Sequence, residues 1–132
     1  MTNKNIALVE RMYQLFHEKN DVLIRELFLE NVQWNQMEGF PGGGKYRGID
    51  EVLEFIFSGF RNDWTDWHAQ TERFIDGGSS VFAIGHYSGT YRSTNRPVRA
   101  AFIGEYVIEG GKIAAFHQYT DTYLIARAMA AV

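Results

Sequence analysis

The sequence contains no cysteine, only two prolines and no excess of positive charge. Without thiols the chain can form neither disulfide bonds nor cysteine-ligated zinc or iron–sulfur centres, and thiol catalysis is excluded. The 13 basic and 16 acidic residues give a net charge of −3. Because the basic residues are dispersed along the chain, we do not expect nucleic acid as the main partner.

Long apolar runs are also missing. No stretch approaches the roughly 18 residues that a membrane-spanning helix needs. The polar segment 1–5 leads directly into an amphipathic pattern, so it does not resemble a secretory signal. We therefore expect no membrane partner and a cytoplasmic location.

The apolar content is sufficient for one compact domain. Of the 132 residues, 45% are hydrophobic and 15% are aromatic. A chain of this length buries roughly two thirds of the surface that it exposes when unfolded, so it needs no metal or disulfide to fold. The sequence predicts a single domain over residues 1–132 and requires no cofactor.

Three helices are predicted in the first half of the chain. Apolar residues recur at helical spacing in the first helix, namely Ile6, Val9, Met12, Tyr13 and Phe16. Asn20 and Asp21 can cap a short second helix that carries Val22, Ile24, Leu27 and Phe28 and ends at Asn31. A third helix begins after Gly48, with a predicted buried stripe of Ile49, Val52, Leu53, Ile56 and Phe60.

Strand patterns dominate the second half. Before them, Val32, Trp34 and Gln36 alternate on one side of a short strand, and the glycine-rich segment 39–44 predicts a loop. Turn signals then separate four strands at about residues 67–75, 80–92, 98–108 and 112–121. Because the connections are short, the strands must form an antiparallel meander, and the fold class is α+β.

The strands look apolar on both faces. Three helices can cover only one face of the sheet, so we expect the other face to meet a second copy in a homodimer. Gly85, Gly89 and Gly104 lie inside strands, where glycine usually marks bends or bulges. A bent sheet under helices leaves a cavity, and its apolar composition favours a small hydrophobic ligand.

The order of elements and several short motifs resemble the SnoaL-like (polyketide cyclase and ketosteroid isomerase-like) branch of the nuclear transport factor 2-like superfamily. The resemblance covers nearly the whole chain and is carried by residues 9–13, 46–50, 60–64, 97–102, 111–113 and 118–122. It implies a cone-like curved antiparallel sheet with three N-terminal helices that enclose a pocket. The motifs specify the fold better than the reaction, because one scaffold hosts several activities.

The resemblance also implies candidate site residues. Tyr13 falls at the oxyanion tyrosine of ketosteroid isomerases, whereas Gln36 and Ile103 occupy the positions of that enzyme's two acids, so its mechanism is not expected here. The acid/base aspartate of the SnoaL-like cyclases, at the end of the last strand, corresponds to Asp121. The same aspartate can instead cap a C-terminal helix at residues 122–129, and both roles can coexist.

Further candidates share the predicted cavity. On the last strand, His117 and Tyr119 lie on the face of Asp121; either can contact a ligand or be a wall residue. Trp34 and Gln36 are candidate substrate-binding residues on the short strand. His68, His86 and His117 lie on three different strands, so their spacing leaves a three-histidine metal site open. No metal is expected, because the sequence has no metal-binding histidine motif.

Two functions follow from these residues. The first is a cofactor-free lyase, isomerase or cyclase in which Asp121 moves a proton beside a carbonyl, helped by Tyr13, Tyr119 or His117. The second is a non-catalytic module of the same fold that binds a hydrophobic ligand or dimerises.

Overall fold

Two amphipathic helices open the chain in the computed structural model, which describes residues 3–130. Helix α1 spans Lys4–His17 and helix α2 spans Asp21–Glu26. Each begins at an asparagine whose side chain accepts a hydrogen bond from the first turn, Asn3 from the Ile6 amide and Asn20 from the Leu23 amide. The predicted extension of α2 through Phe28 to Asn31 is wrong, because Phe28 already begins a strand.

A third helical segment follows Gly48. It consists of α3 (Ile49–Glu51), a π-helical stretch (Val52–Phe57) and α4 (Ser58–Asp63). The predicted stripe is confirmed, since Ile49, Val52, Leu53, Ile56 and Phe60 are all buried. The wider π turn also buries Phe57, and such turns occur frequently at functional sites.

Six strands form one curved sheet. Their bounds are β1 Phe28–Gln36, β2 Gly44–Arg47, β3 Trp64–Asp76, β4 Ser80–Tyr91, β5 Arg96–Glu109 and β6 Lys112–Thr120. The strand order is β2-β1-β6-β5-β4-β3, and every neighbouring pair is antiparallel except β1 with β6. The helix α5, at Thr122–Met129, follows the last strand.

The sequence predicts the meander better than the sheet edge. The four strands of the second half match the predicted ones to within a few residues. The short strand around Val32 is longer than expected, and β2 lies where only a loop and a helix start were expected. The α+β class and the cone-like curved sheet are confirmed.

Glycine permits the curvature of the sheet. A Cβ atom at Gly85 would lie 1.9 Å from the Gln70 carbonyl oxygen, so no larger residue fits against β3 there. The register between β3 and β4 shifts beside this contact, between Thr71 and Arg73. The bulge and the glycine together let the sheet bend around the helices.

The core lies between the concave face of the sheet and the helices. Val81, Ala83, Phe102 and Phe116 point inward from three adjacent strands and are buried. Within residues 3–130, no helix is both long and apolar enough to cross a membrane.

Candidate functional site

A cavity lies between the concave face of the sheet and the helices. Its volume is about 50 Å³, counted as the space that the centre of a water molecule can reach. A cavity of this size holds a few waters as it stands, whereas benzene binds in an apolar cavity of about 150 Å³, so the lining must move outward to admit a ring. The lining is mostly aromatic, and its side chains with a polar group are Tyr13, Trp34, Gln36, Trp67, Tyr87, Tyr106 and Gln118.

Two tyrosine hydroxyls meet inside this lining. The Tyr106 hydroxyl donates to the Tyr13 hydroxyl, with 2.7 Å between the oxygens, and both residues are buried. Helix α1 supplies Tyr13 and strand β5 supplies Tyr106, so the bond joins a helix to the sheet. A bond between two hydroxyls uses one proton, which leaves the pair with one further donor.

Two buried glutamines hold the other polar groups. The Gln118 amide nitrogen donates to the Tyr87 hydroxyl at 3.0 Å, while its oxygen accepts from the Met37 backbone amide. The Gln36 oxygen accepts from the Trp34 indole nitrogen at 2.8 Å. Both glutamine oxygens are therefore engaged, whereas the Tyr87 proton is not used by its bond to Gln118.

Burial keeps the three tyrosines in the lining protonated. Desolvation raises the pKa of Tyr13 and of Tyr106 well above the ordinary value of 10.0, and the nearby Tyr87 raises both further. The hydrogen bond between the two hydroxyls lowers the pKa of Tyr13 and raises that of Tyr106. Desolvation raises the pKa of Tyr87 as well, although the bond from Gln118 works in the opposite direction. At neutral pH these side chains are hydrogen-bond donors and not bases.

The cavity lining carries no group that titrates near neutral pH. Among the lining residues within 3–130, none is an aspartate, glutamate, histidine, lysine or arginine. The arrangement can therefore hold an oxygen by hydrogen bonds in a largely aromatic site, but it offers no carboxylate or imidazole for proton transfer.

Phe40 closes one side of the cavity and was not predicted as a site residue. It lies in the glycine-rich loop between β1 and β2 and is only 4% exposed, with ring centroids 5.6 Å from Phe60 and 5.4 Å from Tyr87. The one signal in the sequence is a large apolar residue between glycines and a proline, where solvent-exposed loops are usually polar.

Asp121 does not face the cavity. It is exposed, and its carboxylate accepts a hydrogen bond from the Leu124 amide at 3.1 Å as the N-cap of α5. Of the two roles considered for Asp121, the structure shows the capping role. The expectation that its carboxyl points into the cavity is wrong, because β6 ends before this residue and the chain turns into the helix. A catalytic role for Asp121 stays a prediction.

His117 and Tyr119 point away from the cavity. Side chains on β6 alternate between faces, and the buried pair is Phe116 and Gln118. His117 accepts a hydrogen bond at Nδ1 from the Asn35 side chain at 3.1 Å, and Tyr119 is 49% exposed. The expectation that His117 and Tyr119 share the cavity is therefore wrong, because the face of β6 that carries them is the outer one.

The remaining candidates do meet in the cavity. Trp34 and Gln36 point inward from β1, and Tyr13 approaches them from α1. The Trp34 ring packs against Phe116, with 3.9 Å between centroids. Their expected position is confirmed, and their role in ligand binding stays a prediction.

The histidines lie in separate surroundings. His68 stacks on His17 at 4.0 Å between centroids, His86 pairs with Glu72, and His117 contacts Asn35. Nowhere in the described part of the chain do three or more histidine or acidic side chains cluster as they would around a metal ion.

Solved structures share this architecture. An NTF2-like protein from Burkholderia thailandensis is 29% identical, with a TM-score of 0.92 over 99% of this chain and 100% of that one. An NTF2-like protein from Burkholderia pseudomallei is 23% identical, with a TM-score of 0.89 over 98% and 100%. TerC, co-crystallised with polyporic acid, is 19% identical, with a TM-score of 0.85 over 96% and 98%. No curated protein is significantly similar to this chain in sequence.

The family assignment rests on sequence as well as on fold. The model of the SnoaL-like domain family matches residues 9–116, from the middle of α1 into β6. This span includes Tyr13, Trp34, Gln36, Tyr87 and Tyr106, and it ends before Gln118 and Asp121. The chain therefore belongs to the SnoaL-like domain family, on a fold that it shares with NTF2-like proteins.

Proposed function

We propose that this protein binds a small hydrophobic ring compound that carries an uncharged acceptor oxygen, such as a ketone carbonyl. The observation that carries this proposal is the surplus of donors in the cavity. One proton of the Tyr13 and Tyr106 pair and the proton of Tyr87 are free of the internal hydrogen bonds, while both glutamine oxygens are occupied. A ligand oxygen satisfies such buried donors, and a hydrocarbon does not.

The same lining disfavours an ionised group inside the cavity. Burying an unpaired charge is costly, and among the described lining residues there is no side chain of opposite charge to compensate for it. Aromatic walls, including Trp34 and Phe116, favour a flat apolar body for the ligand. The part of the ligand inside the cavity is therefore a neutral ring with its oxygen directed at the tyrosines.

The cavity lining supports ligand binding better than it supports isomerase or cyclase activity. Removing a carbon-bound proton requires a base within hydrogen-bond reach of that carbon. Asp121 is the residue assigned to that role, and its carboxylate is engaged at the start of α5. Catalysis through Asp121 requires this carboxylate to leave the cap and reach the cavity.

Calorimetry with two ligands of matched shape tests the proposal. Acetophenone carries a carbonyl, and ethylbenzene has nearly the same shape without it. We expect acetophenone to bind about 5-fold tighter, since a buried hydrogen bond contributes roughly 1 kcal/mol. The preference should disappear in a Tyr13→Phe, Tyr87→Phe, Tyr106→Phe triple variant and persist in Tyr123→Phe, whose side chain is exposed on α5. Equal affinity for the two compounds, or binding of neither, would contradict the proposal.

We also propose that the outer face of the sheet pairs with a second copy of the chain. Large apolar side chains stay accessible there: Ile75 is 42%, Ile103 is 39% and Tyr119 is 49% exposed. Ile103 lies directly between Ile84 and Tyr119 on the neighbouring strands, which supports one continuous apolar surface. Light scattering at micromolar concentration should give twice the mass of one chain and a single-chain mass for Ile103→Asp. A single-chain mass for the unmodified protein would contradict this proposal.

A further inference from the structure

A second, polar groove lies on the other side of one cavity wall. The groove has a volume of about 510 Å³ and is lined by residues from α4 and the start of β3, by Lys19 from the turn after α1 and by Arg92 just after β4. Its charged residues are Lys19, Arg61, Arg92 and Asp66. The groove therefore gathers three cations and one acid on a chain whose net charge is −3.

Trp67 separates the groove from the cavity. Its side chain lines both spaces and stacks between Phe60 and Tyr87, at 4.4 and 5.2 Å between ring centroids. A ligand that reaches past Trp67 would have its ring in the cavity and its tail in the groove.

A bulge in β3 places Trp67 in this wall. Thr65 pairs with Thr90 and His68 pairs with Ser88, so β3 has one more residue than β4 between these pairs. Asp66 occupies the bulge with a φ of 56°, a conformation that non-glycine residues rarely adopt. Side chains along a strand normally alternate between the two faces of the sheet, so residues three apart lie on opposite faces. Because the bulge adds one residue to β3, Trp67 lies on the same face as Trp64, with 5.1 Å between ring centroids. Bulges of this kind often direct a side chain into a binding site.

Within residues 3–130, two of the three cations in the groove have no carboxylate partner. Arg61 is held by Asp21 at 2.9 Å and by the Phe16 carbonyl oxygen at 3.3 Å. Lys19 and Arg92 are exposed, and neither forms an ion pair with a carboxylate in the described part of the chain. Cations beside the apolar surface of two tryptophans attract an anion more strongly than cations surrounded by water alone.

We propose that this groove binds a carboxylate on the ligand of the neighbouring cavity, so that the ligand is an aromatic keto acid with a short chain between ring and carboxylate. The inference rests on the proposed function, because the cavity must first accept the ring and its oxygen. A carboxylate suits the groove since the planar guanidinium of Arg92 can donate two parallel hydrogen bonds to it. Lys19 adds a second positive charge from the turn that follows α1.

Two compounds of the same shape separate the inference from the proposed function. 4-Oxo-4-phenylbutanoate joins an acetophenone ring to a carboxylate, and its primary amide carries no charge. By calorimetry at low ionic strength we expect the acid to bind roughly 3- to 10-fold tighter than the amide, the range for one or two exposed ion pairs. At about 1 M salt, where charges are screened beyond about 3 Å, the two affinities should become equal.

Charge variants locate the effect. In the double variant Lys19→Gln, Arg92→Gln, the affinity for the acid should fall to that for the amide. The affinity for the amide should stay unchanged. Lys45→Gln, an exposed lysine on β2 at the opposite edge of the sheet, is the matched control and should keep the preference. The salt titration uses the unmodified protein, so it decides the question even if the double variant does not fold.

Each outcome has one meaning. If the amide binds as tightly as the acid, or if the preference survives in the folded double variant, the groove inference is wrong and the proposed function stands. If neither compound nor acetophenone binds, both are wrong. If acetate alone competes as strongly as the keto acid, the cavity does not contribute and the linked site is wrong.

Discussion

The two faces of strand β6 differ in chemistry although they alternate residue by residue. Phe116 and Gln118 point into the cavity, where they are 2% and 5% exposed, whereas His117 and Tyr119 lie on the outer face. The inner face holds aromatic rings and neutral hydrogen-bonding groups, and the outer face holds an imidazole beside an accessible phenol. In this fold the inner face is suited to a ligand oxygen, and the outer face is suited to association with another surface.

The largest expected difference in stability is between two alanine variants of β6, one on each face of the strand. Phe116→Ala should lower the free energy of unfolding by about 3–5 kcal/mol, because it leaves a void among packed rings. Tyr119→Ala should lower it by less than about 1 kcal/mol for the isolated chain, since Tyr119 is half exposed.

Urea denaturation at two protein concentrations measures both variants. If the outer face pairs with a second copy, the loss for Tyr119→Ala depends on protein concentration, whereas the loss for Phe116→Ala does not. Equal losses for the two variants at low concentration would contradict the assignment of inner and outer faces.

A smaller effect is expected where the inner face has no space for a side chain. A Cβ atom at Gly104 would lie 2.8 Å from the Phe116 ring and 3.3 Å from the Tyr13 hydroxyl. Gly104→Ala should therefore cost about 1–3 kcal/mol of stability and weaken acetophenone binding. Gly59→Ala in α4 meets nothing within 4 Å and should stabilise the protein by up to about 1 kcal/mol. Thermal unfolding of both variants checks the pair, and a neutral Gly104→Ala would contradict the packing described here.

Asp121 should affect stability and leave ligand binding unchanged. Asp121→Ala removes the N-cap of α5 and should cost about 1 kcal/mol, whereas Asp121→Asn keeps a capping oxygen and should cost less. Unfolding and acetophenone titration are measured on the same samples. A large loss of acetophenone affinity in a folded Asp121→Asn protein would contradict this prediction and assign Asp121 a role in ligand binding.

The smallest effect concerns pH. Burial and the stacked His68 lower the pKa of His17 below its usual 6.5, although the bond to the Ala69 carbonyl oxygen works in the opposite direction. The folded state then binds fewer protons at this site than the unfolded state, so the contribution of His17 is present above pH 6.5 and is lost as the pH falls below it. The free energy of unfolding should fall less steeply with acidification in His17→Gln than in the unmodified protein. Identical slopes would contradict the direction of the shift.

The sequence predicts correctly the helices and strands whose apolar residues recur with a regular spacing. The spacing of Val9, Met12 and Tyr13 places α1 and its buried side, and the alternation of Val32, Trp34 and Gln36 gives their common inward face. These patterns suffice because one side of each element is clearly more apolar than the other.

The face of β6 is harder to predict because both of its sides carry aromatic or apolar residues. Tyr119 and His117 look as suitable for a cavity as Phe116 and Gln118, and only the packing of the helices on one face decides between them. The direction of Asp121 depends on the turn from β6 into α5, where the capping bond to Leu124 fixes the carboxylate. The placement of Phe40 depends on a loop closing over a distant part of the chain, which no local pattern specifies.

A crystal structure of the protein with acetophenone would show how the cavity holds a ligand. We expect the ring inside the cavity, against Trp34 and Phe116, with its oxygen about 2.7–3.2 Å from the hydroxyl of Tyr13, Tyr106 or Tyr87. Acetophenone bound only on the outer face, or held in the cavity with its oxygen directed away from all three hydroxyls, would contradict this expectation.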